Sequence, residues 1–377
     1  MRGAAAQEGT ALSITIVATS LEGGGAEFVT RTWAAWLAEQ GHAVDMVMLS
    51  QNPPHPDIAG TTATSLAPLS QRGRVRALRG ILQSTKPDVV LAIQSYPAVV
   101  AYAATRYRTA PALVTSERNI TMREGERAPL RDQVMRALAS RAFRRSDLVI
   151  AVSHPVGAVL IGADGVDPGI VRVVPNPSPA REAAAAAPGK RDQPGKLTIV
   201  VPGRLVPQKR TELAVDAARV LGERGIPARV ICYGRGPNGD RIREHAERLD
   251  VDLELAGWVP DWAGAAPPGS IALLPSYREG FGNVLIDATR AGIRCVAVSS
   301  AFGVADAVVP GLTGELALTG EPAAVADAIE RAQRIPVPLD DRGWVERFSV
   351  DNSGRLLVDV LRSAIQGRTP ARRGARA

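Results

Sequence analysis

Two acids bracket a glycine turn in SYREGFGNVLIDATRAG (276–292): Glu279 and, eight positions later, Asp287. A pair of carboxylates can serve as general acid and base, or each can accept hydrogen bonds from one extended ligand. The context favours the second use. Pro275 closes the apolar strand IALLP, and Gly280, Phe281 and Gly282 form a turn whose amides are open to approach. From Asn283 the pattern reads as a helix ending at Gly292. Its free N–H groups point back into the loop, a natural seat for a phosphate. Glu279 stands before that seat and Asp287 just over one turn inside the helix. The acids flank one anion and do not pair with each other. Carboxylates accept from hydroxyls, so a ligand with central phosphate and polyols on both sides fits, as in a nucleotide-sugar.

A second segment, VPGRLVPQKR (201–210), supplies the opposite charge. Arg204 and Lys209 follow Gly203 in a loop that leads into the helical pattern TELAVDAARVLGERG, with Thr211 or Gln208 at its start. Two cations at the end of a strand, beside a helix N-terminus, can neutralise a diphosphate. Alone, they are equally two solvated charges. A third segment, SLEGGGAEF (20–28), has three successive glycines between a strand and a helix. It admits close approach of a ligand or makes a tight turn, and it is not in the register of the dinucleotide fingerprint.

Parallel sheets must position these loops. Near-continuous apolar runs at 13–18, 44–49, 88–93, 112–116, 147–152 and 171–174 alternate with helical periods. The pattern restarts at 197–201, 228–232, 252–255, 271–274 and 295–299. Such runs are strands buried on both faces of doubly wound α/β sheets. The expected division is a disordered start (1–11), an N-terminal Rossmann-like domain (12–177), a linker (178–196), a C-terminal Rossmann-like domain (197–366) and a basic tail (367–377). Open parallel sheets bind ligands beyond the carboxyl ends of their strands. Two of them facing each other make a deep cleft with a binding edge on each side.

Composition narrows the partners. Apolar residues make up 45% of the 377 residues, which excludes wholesale disorder. Cys232 and Cys295 lie in apolar runs without metal or redox spacing, consistent with a reducing, cytoplasmic setting. The net charge of +7 suits a phosphate-bearing partner. Arginines cluster at 72, 74, 76 and 79 and again at 136, 141, 144 and 145. They are solvated helix faces or a peripheral contact with an anionic membrane at its inner face. Nothing aromatic interleaves them, so nucleic acid is not expected.

The signature E-x7-E around Glu279 resembles that of the retaining family 4 glycosyltransferases, whose fold is GT-B. The similarity runs through GGGAEFVTRTWAAWLAEQGHAVDMVML, SDLVIAVSHPVGAVLIGADGVDPGIVRVVPNP, PGRLVPQK, YGRGP and LAGWVPD, in order along nearly the whole chain. The resemblance implies transfer of a sugar from a nucleotide diphosphate donor, uridine favoured and guanosine next, with retention and without metal or other cofactor. The acceptor is a saccharide, a lipid-linked molecule or a small molecule. Arg204 and Lys209 would hold the diphosphate and Glu279 the sugar hydroxyls. The amides of Gly280 to Val284 (Phe281, Gly282 and Asn283 among them) would reach sugar and phosphate. Asp287 would take the ribose, Trp258 and Val259 would edge the base, and Gly24 and Gly25 would let the first domain close.

Two places depart from the family pattern. Asp287 is shorter than the usual Glu by one methylene. In VTSERN, Glu117, Arg118 and Asn119 stand where many members place a histidine near the reacting carbon. His154, after Ser153, is either a candidate for the same acceptor-side wall or a structural histidine satisfied by its neighbours. The shared architecture leaves open a nucleotide-sugar 2-epimerase, which would need a histidine and carboxylate set in the cleft, and the departures leave open a non-catalytic nucleotide-sugar binder that assists another transferase.

Overall fold

The computed structural model describes residues 10–52, 57–107, 109–120, 129–179, 195–339 and 343–368. Most of the expected N-terminal segment, linker and tail lies outside the described residues.

The first sheet has seven parallel strands in the order β3-β2-β1-β4-β5-β6-β7. They are β1 (Ser13–Ala18), β2 (Ala43–Met48), β3 (Thr61–Ser65), β4 (Val89–Ile93), β5 (Ala112–Glu117), β6 (Leu148–Ala151) and β7 (Val171–Val173). The second sheet has six parallel strands in the order β10-β9-β8-β11-β12-β13. These are β8 (Leu197–Pro202), β9 (Ala228–Tyr233), β10 (Asp252–Gly257), β11 (Ile271–Leu274), β12 (Arg294–Val298) and β13 (Gly314–Ala317). The central runs VVLAI and IALL are buried at every position, as two-sided helix packing requires. Ile14 pairs with both Val44 and Val89, which fixes β1 in the middle of its sheet.

Two strands were not legible as apolar runs. β3 is TTATS on the sheet edge, with no residue buried, and its β-branched threonines suit a half-solvated ribbon. β13 is GELA, short and begun by a glycine.

In each sheet the strand order reverses beside the first strand, at β1/β4 and at β8/β11. These are the switch points where crevices open beyond the strand ends. The glycine loop follows β1, the Arg204–Lys209 loop follows β8, and the Glu279 loop follows β11.

The C-terminal helix Val350–Gln366, which the linear reading assigns to the second domain, packs against the first. Gly354 meets the Trp36 ring so closely that a Cβ there would lie 2.5 Å from it. Trp33 donates its indole N–H to Ser353 Oγ at 3.0 Å, and Trp36 donates to Asp351 at 2.7 Å. Ser353 Oγ donates in turn to the Pro175 carbonyl at 2.7 Å. Arg368, read as the start of a free tail, is 2.7 Å from the Asp147 carboxylate. Trp33 is wholly buried, and truncating such a side chain costs about 3–5 kcal/mol.

The first arginine cluster folds partly inward. Arg74 donates to the carbonyls of Leu66 and Ala67 and to Tyr96 Oη, and Arg79 donates to the carbonyls of Ala103 and Ala104. Those two side chains brace the helix Gln71–Thr85 against the rest of its domain.

Candidate active site

The crevices of the two sheets join in one cleft of about 1680 Å³. On the second-domain side, the chain leaves β8 at Gly203, whose φ of +148° only glycine holds without strain. Its N–H donates to the Tyr233 carbonyl at 2.9 Å. Pro207–Lys209 form one 3-10 turn, after which Arg210 takes a left-handed conformation and stacks on Tyr277 at 4.4 Å. Thr211 makes no side-chain cap on the helix Glu212–Glu223.

This turn is tied to the loop after β11. Gln208 Nε2 donates to the Arg278 carbonyl at 2.9 Å, and the Tyr277 N–H donates to the Gln208 carbonyl at 3.0 Å. Lys209 Nζ then lies 2.6 Å from Glu279 Oε1, with both side chains mostly buried. The spacing of the sequence did not disclose this pair, because the partners are 70 residues apart. Arg204 is exposed in the cleft wall, and no described residue accepts from its guanidinium.

Glu279 is held on both sides by backbone: its N–H donates to Ala301 at 3.1 Å, and its carbonyl accepts from Gly303 at 3.2 Å. Phe281 is buried, its ring centroid 5.2 Å from that of Phe348. Gly282, at φ +93°, precedes the helix Asn283–Arg290, whose first residues Asn283 and Val284 face the cleft. Asp287 also lines the cleft and accepts from Ser178 Oγ at 3.2 Å. Trp258, 67% exposed, and Val259 stand at its margin beyond β10. Gly24 and Gly25 line the opposite wall, where Gly25 approaches Asn283.

The first-domain wall is built differently. Glu117, at the end of β5, is buried. Its Oε1 accepts from the N–H groups of Arg118 at 2.8 Å and Asn119 at 2.9 Å, and its Oε2 accepts from Ser95 Oγ at 2.5 Å. Burial pushes its carboxyl above the ordinary value against these hydrogen bonds. Arg118 is also buried, which pushes its guanidinium down to about 9, still charged at neutral pH. It stacks on Trp33 at 4.6 Å and donates to Ser116 Oγ at 3.0 Å and to Asn176 Oδ1. Asn119 lines the cleft.

His154 does not enter the cleft. Its side chain is 74% exposed, and its Nδ1 and backbone N–H lie 2.9 and 2.7 Å from Asp306 Oδ2. Helix geometry explains this: Ser153 caps the helix His154–Gly162, so the next side chain turns away from the strand end. Ser153 instead faces the loop after β11, donating to the Gly280 carbonyl at 2.7 Å. The Gly280 α-carbon abuts the Arg118 carbonyl, so Gly280 serves as a contact between the domains and not only as an open turn. No histidine is among the described residues that line the cleft. Nor do three His, Cys, Asp or Glu side chains converge anywhere among the described residues. No described helix is long and apolar enough to cross a membrane.

Gln94, Ser95, Asn176 and Asp164 were missed as cleft residues. Gln94 at φ +79° follows β4, and Asn176 lies just beyond β7, so strand-end position was the available signal. Asp164 accepts from Ser140 Oγ at 2.6 Å and stands 3.9 Å from Arg136.

Comparisons with known proteins agree with this architecture. The family model described as Glycosyltransferase Family 4 matches residues 23–179, and that described as Glycosyl transferases group 1 matches 196–334. A D-inositol 3-phosphate glycosyltransferase 2 of Catenulispora acidiphila is 30% identical over 250 residues, 59% of this chain and 57% of that protein. A D-inositol 3-phosphate glycosyltransferase of Rhodococcus erythropolis is 27% identical over 244 residues, covering 58% and 54%. The chain thus spans about half the length of the curated relatives it matches. Among solved structures, Anabaena HepE in complex with UDP-glucose superposes with a TM-score of 0.73 at 18% identity, covering 93% of this chain and 100% of that one. The apo lipopolysaccharide outer core galactosyltransferase WaaB gives 0.72 at 20% identity, covering 93% and 99%.

Proposed function

This chain belongs to the family 4 glycosyltransferases of the GT-B fold, and from that premise we propose that it moves a sugar from a nucleotide-diphosphate donor to a hydroxyl acceptor with retention. The observation that carries the reading is the Lys209–Glu279 pair beside the exposed Arg204, at the start of the helix Asn283–Arg290. Arg204, Lys209 and the helix N-terminus take the diphosphate, and they stabilise the charge that develops on it as the glycosidic bond breaks. Glu279, held by backbone and by Lys209, accepts from the sugar hydroxyls. Asp287 takes the ribose, and Trp258 and Val259 edge the base.

Glu279 is engaged by a cation and does not stand free as a nucleophile. The acceptor hydroxyl therefore attacks from the face the phosphate leaves, giving its proton to the departing phosphate oxygen. Positioning and electrostatics supply the rate, and no bound metal is required in this scheme. Uridine is the first base to test, since a neighbour of the same fold holds UDP-glucose. An isomerase would need a proton-abstracting set in the cleft. The described wall offers no histidine for it, so transfer is the reading.

The acceptor is a saccharide, small-molecule or lipid-linked hydroxyl. Peripheral membrane contact rests on the helix Leu130–Arg144, which exposes Leu130, Val134 and Leu138 along one face with Arg141 further along it. Its other side, through Gln133, Arg136 and Ala139, lines the cleft. Sedimentation with phosphatidylglycerol vesicles at low salt, reversed at high salt, is expected.

The test of the function is a thermal-shift screen of uridine- and guanosine-diphosphate sugars, followed by hydrolysis and transfer assays on the donor that stabilises. Stabilisation with slow donor hydrolysis or a transfer product supports the enzyme. Stabilisation without any turnover means a binder, and an epimerised nucleotide-sugar without acceptor means an isomerase.

A further inference from the structure

One guanidinium and two side-chain amides run in line from the first domain to the donor helix, and their order has a chemical direction. A guanidinium only donates. Arg118 is buried, stacked on Trp33, and its Nη2 meets Asn176, which must therefore present Oδ1. That leaves Asn176 with its Nδ2, which donates to Asn283 Oδ1 at 2.5 Å. Asn283, the first residue of the helix Asn283–Arg290, is left with Nδ2 on its other side. This nitrogen lies beside Gly25, where an added Cβ would be 3.5 Å from it, and no described residue accepts from it.

We propose that Asn176 is a positioning residue that fixes which way the Asn283 amide faces, so that Asn283 presents its N–H2, and not its oxygen, to the diphosphate of the donor. The inference rests on the nucleotide-sugar reading and deepens it. A free asparagine amide turns over at little cost and offers either a donor or an acceptor. Beside a helix N-terminus, an oxygen facing the cleft would repel the anion that the helix attracts. The relay removes that choice, because its first member has no acceptor to offer. The root is itself fixed: Trp33 beneath Arg118 is bonded to Ser353 of the C-terminal helix.

The test is Asn176→Asp, which keeps an acceptor for Arg118 but has no N–H for Asn283. The Asn283 amide then turns over, gives its N–H2 to the new carboxylate and leaves its oxygen toward the cleft. By calorimetry, the UDP dissociation constant is expected to rise about tenfold, the range of one lost charge-assisted hydrogen bond. Uridine affinity stays unchanged. Asn176→Ala, which only frees the amide, should lose less, and Asn176→Asp combined with Asn283→Ala should bind UDP no worse than Asn283→Ala alone. The double variant separates the turned amide from plain repulsion of the anion by the new charge, because repulsion would persist after Asn283→Ala. If Asn176→Asp does not fold, Asn176→Ala serves: it should weaken UDP binding in the wild-type background and add nothing to the loss caused by Asn283→Ala. Wild-type protein that binds UDP while Asn176→Asp binds it equally, or loses uridine to the same degree, overturns the relay. Wild-type protein that binds neither UDP nor GDP overturns the functional reading and the relay with it.

Discussion

The two walls of the cleft carry similar side chains and use them in opposite ways. On the second-domain wall, Arg204 is exposed and Lys209 pairs with the Glu279 carboxylate at 2.6 Å. On the first-domain wall, Glu117 and Arg118 are buried, and their polar atoms are largely taken by Ser95, Ser116, Asn176 and backbone N–H groups. A charge with free hydrogen-bonding capacity in a cleft can meet a ligand. A charge already bonded in the interior holds the chain in place, and its removal leaves uncompensated groups behind. On the proposed function, the contrast gives the second domain the chemistry and the first the architecture.

Substitutions can break that contrast. Lys209→Ala should lower kcat/KM for the donor by about 10²–10³, while the urea midpoint falls less than in Arg118→Ala, because the Glu279 left behind still opens onto the cleft. A variant with near-normal turnover would remove Lys209 from the diphosphate. Arg118→Ala should do the reverse, costing about 3 kcal/mol of stability through loss of the Trp33 stacking and an unbalanced Glu117. Urea titration followed by tryptophan fluorescence reads this directly, and an unchanged midpoint would mean that the wall does not depend on the charge.

Gly280→Ala tests the seam where the walls meet. Its methyl group would strike the Arg118 carbonyl, so the domains must part slightly. A fall of about tenfold in kcat/KM is expected from misplaced reactants, with little change in fold. The smallest effect is that of Glu117→Gln, and it is one of pH. Burial raises the Glu117 carboxyl above its ordinary 4.5, so the folded protein takes up this proton at a higher pH than the unfolded chain. The stabilisation is fully present below 4.5 and is lost as pH rises toward the folded value. Glu117→Gln, which does not ionise, should therefore gain stability relative to wild type as pH rises, measured by urea midpoints from acid to neutral pH. A constant difference would mean that Glu117 titrates normally.

Much of the fold was legible in the residues. Runs such as VVLAI and IALL are buried on both faces, and only a parallel sheet between helices does that. The edge strands β3 and β13 escaped because an edge needs no apolar run. The second-domain loops were readable because strand, glycine turn and helix start are consecutive in the chain. Only the structure chose between a cleft and a structural role for His154, because a strand-end position says nothing about which way a cap directs the next side chain.

By itself, then, the sequence determined the two α/β sheets, the loops at their switch points and the kinds of charge those loops hold. All of these follow from local periodicity and turn chemistry. Tertiary structure alone decided the Lys209–Glu279 pair, the docking of the C-terminal helix on the first domain, the burial and bonding of Glu117 and Arg118, and the line from Arg118 through Asn176 to Asn283. Each of these joins residues far apart in the chain. Whether a charge is free or spent depends on which groups the fold brings within hydrogen-bond reach, and residue spacing carries no record of that distance.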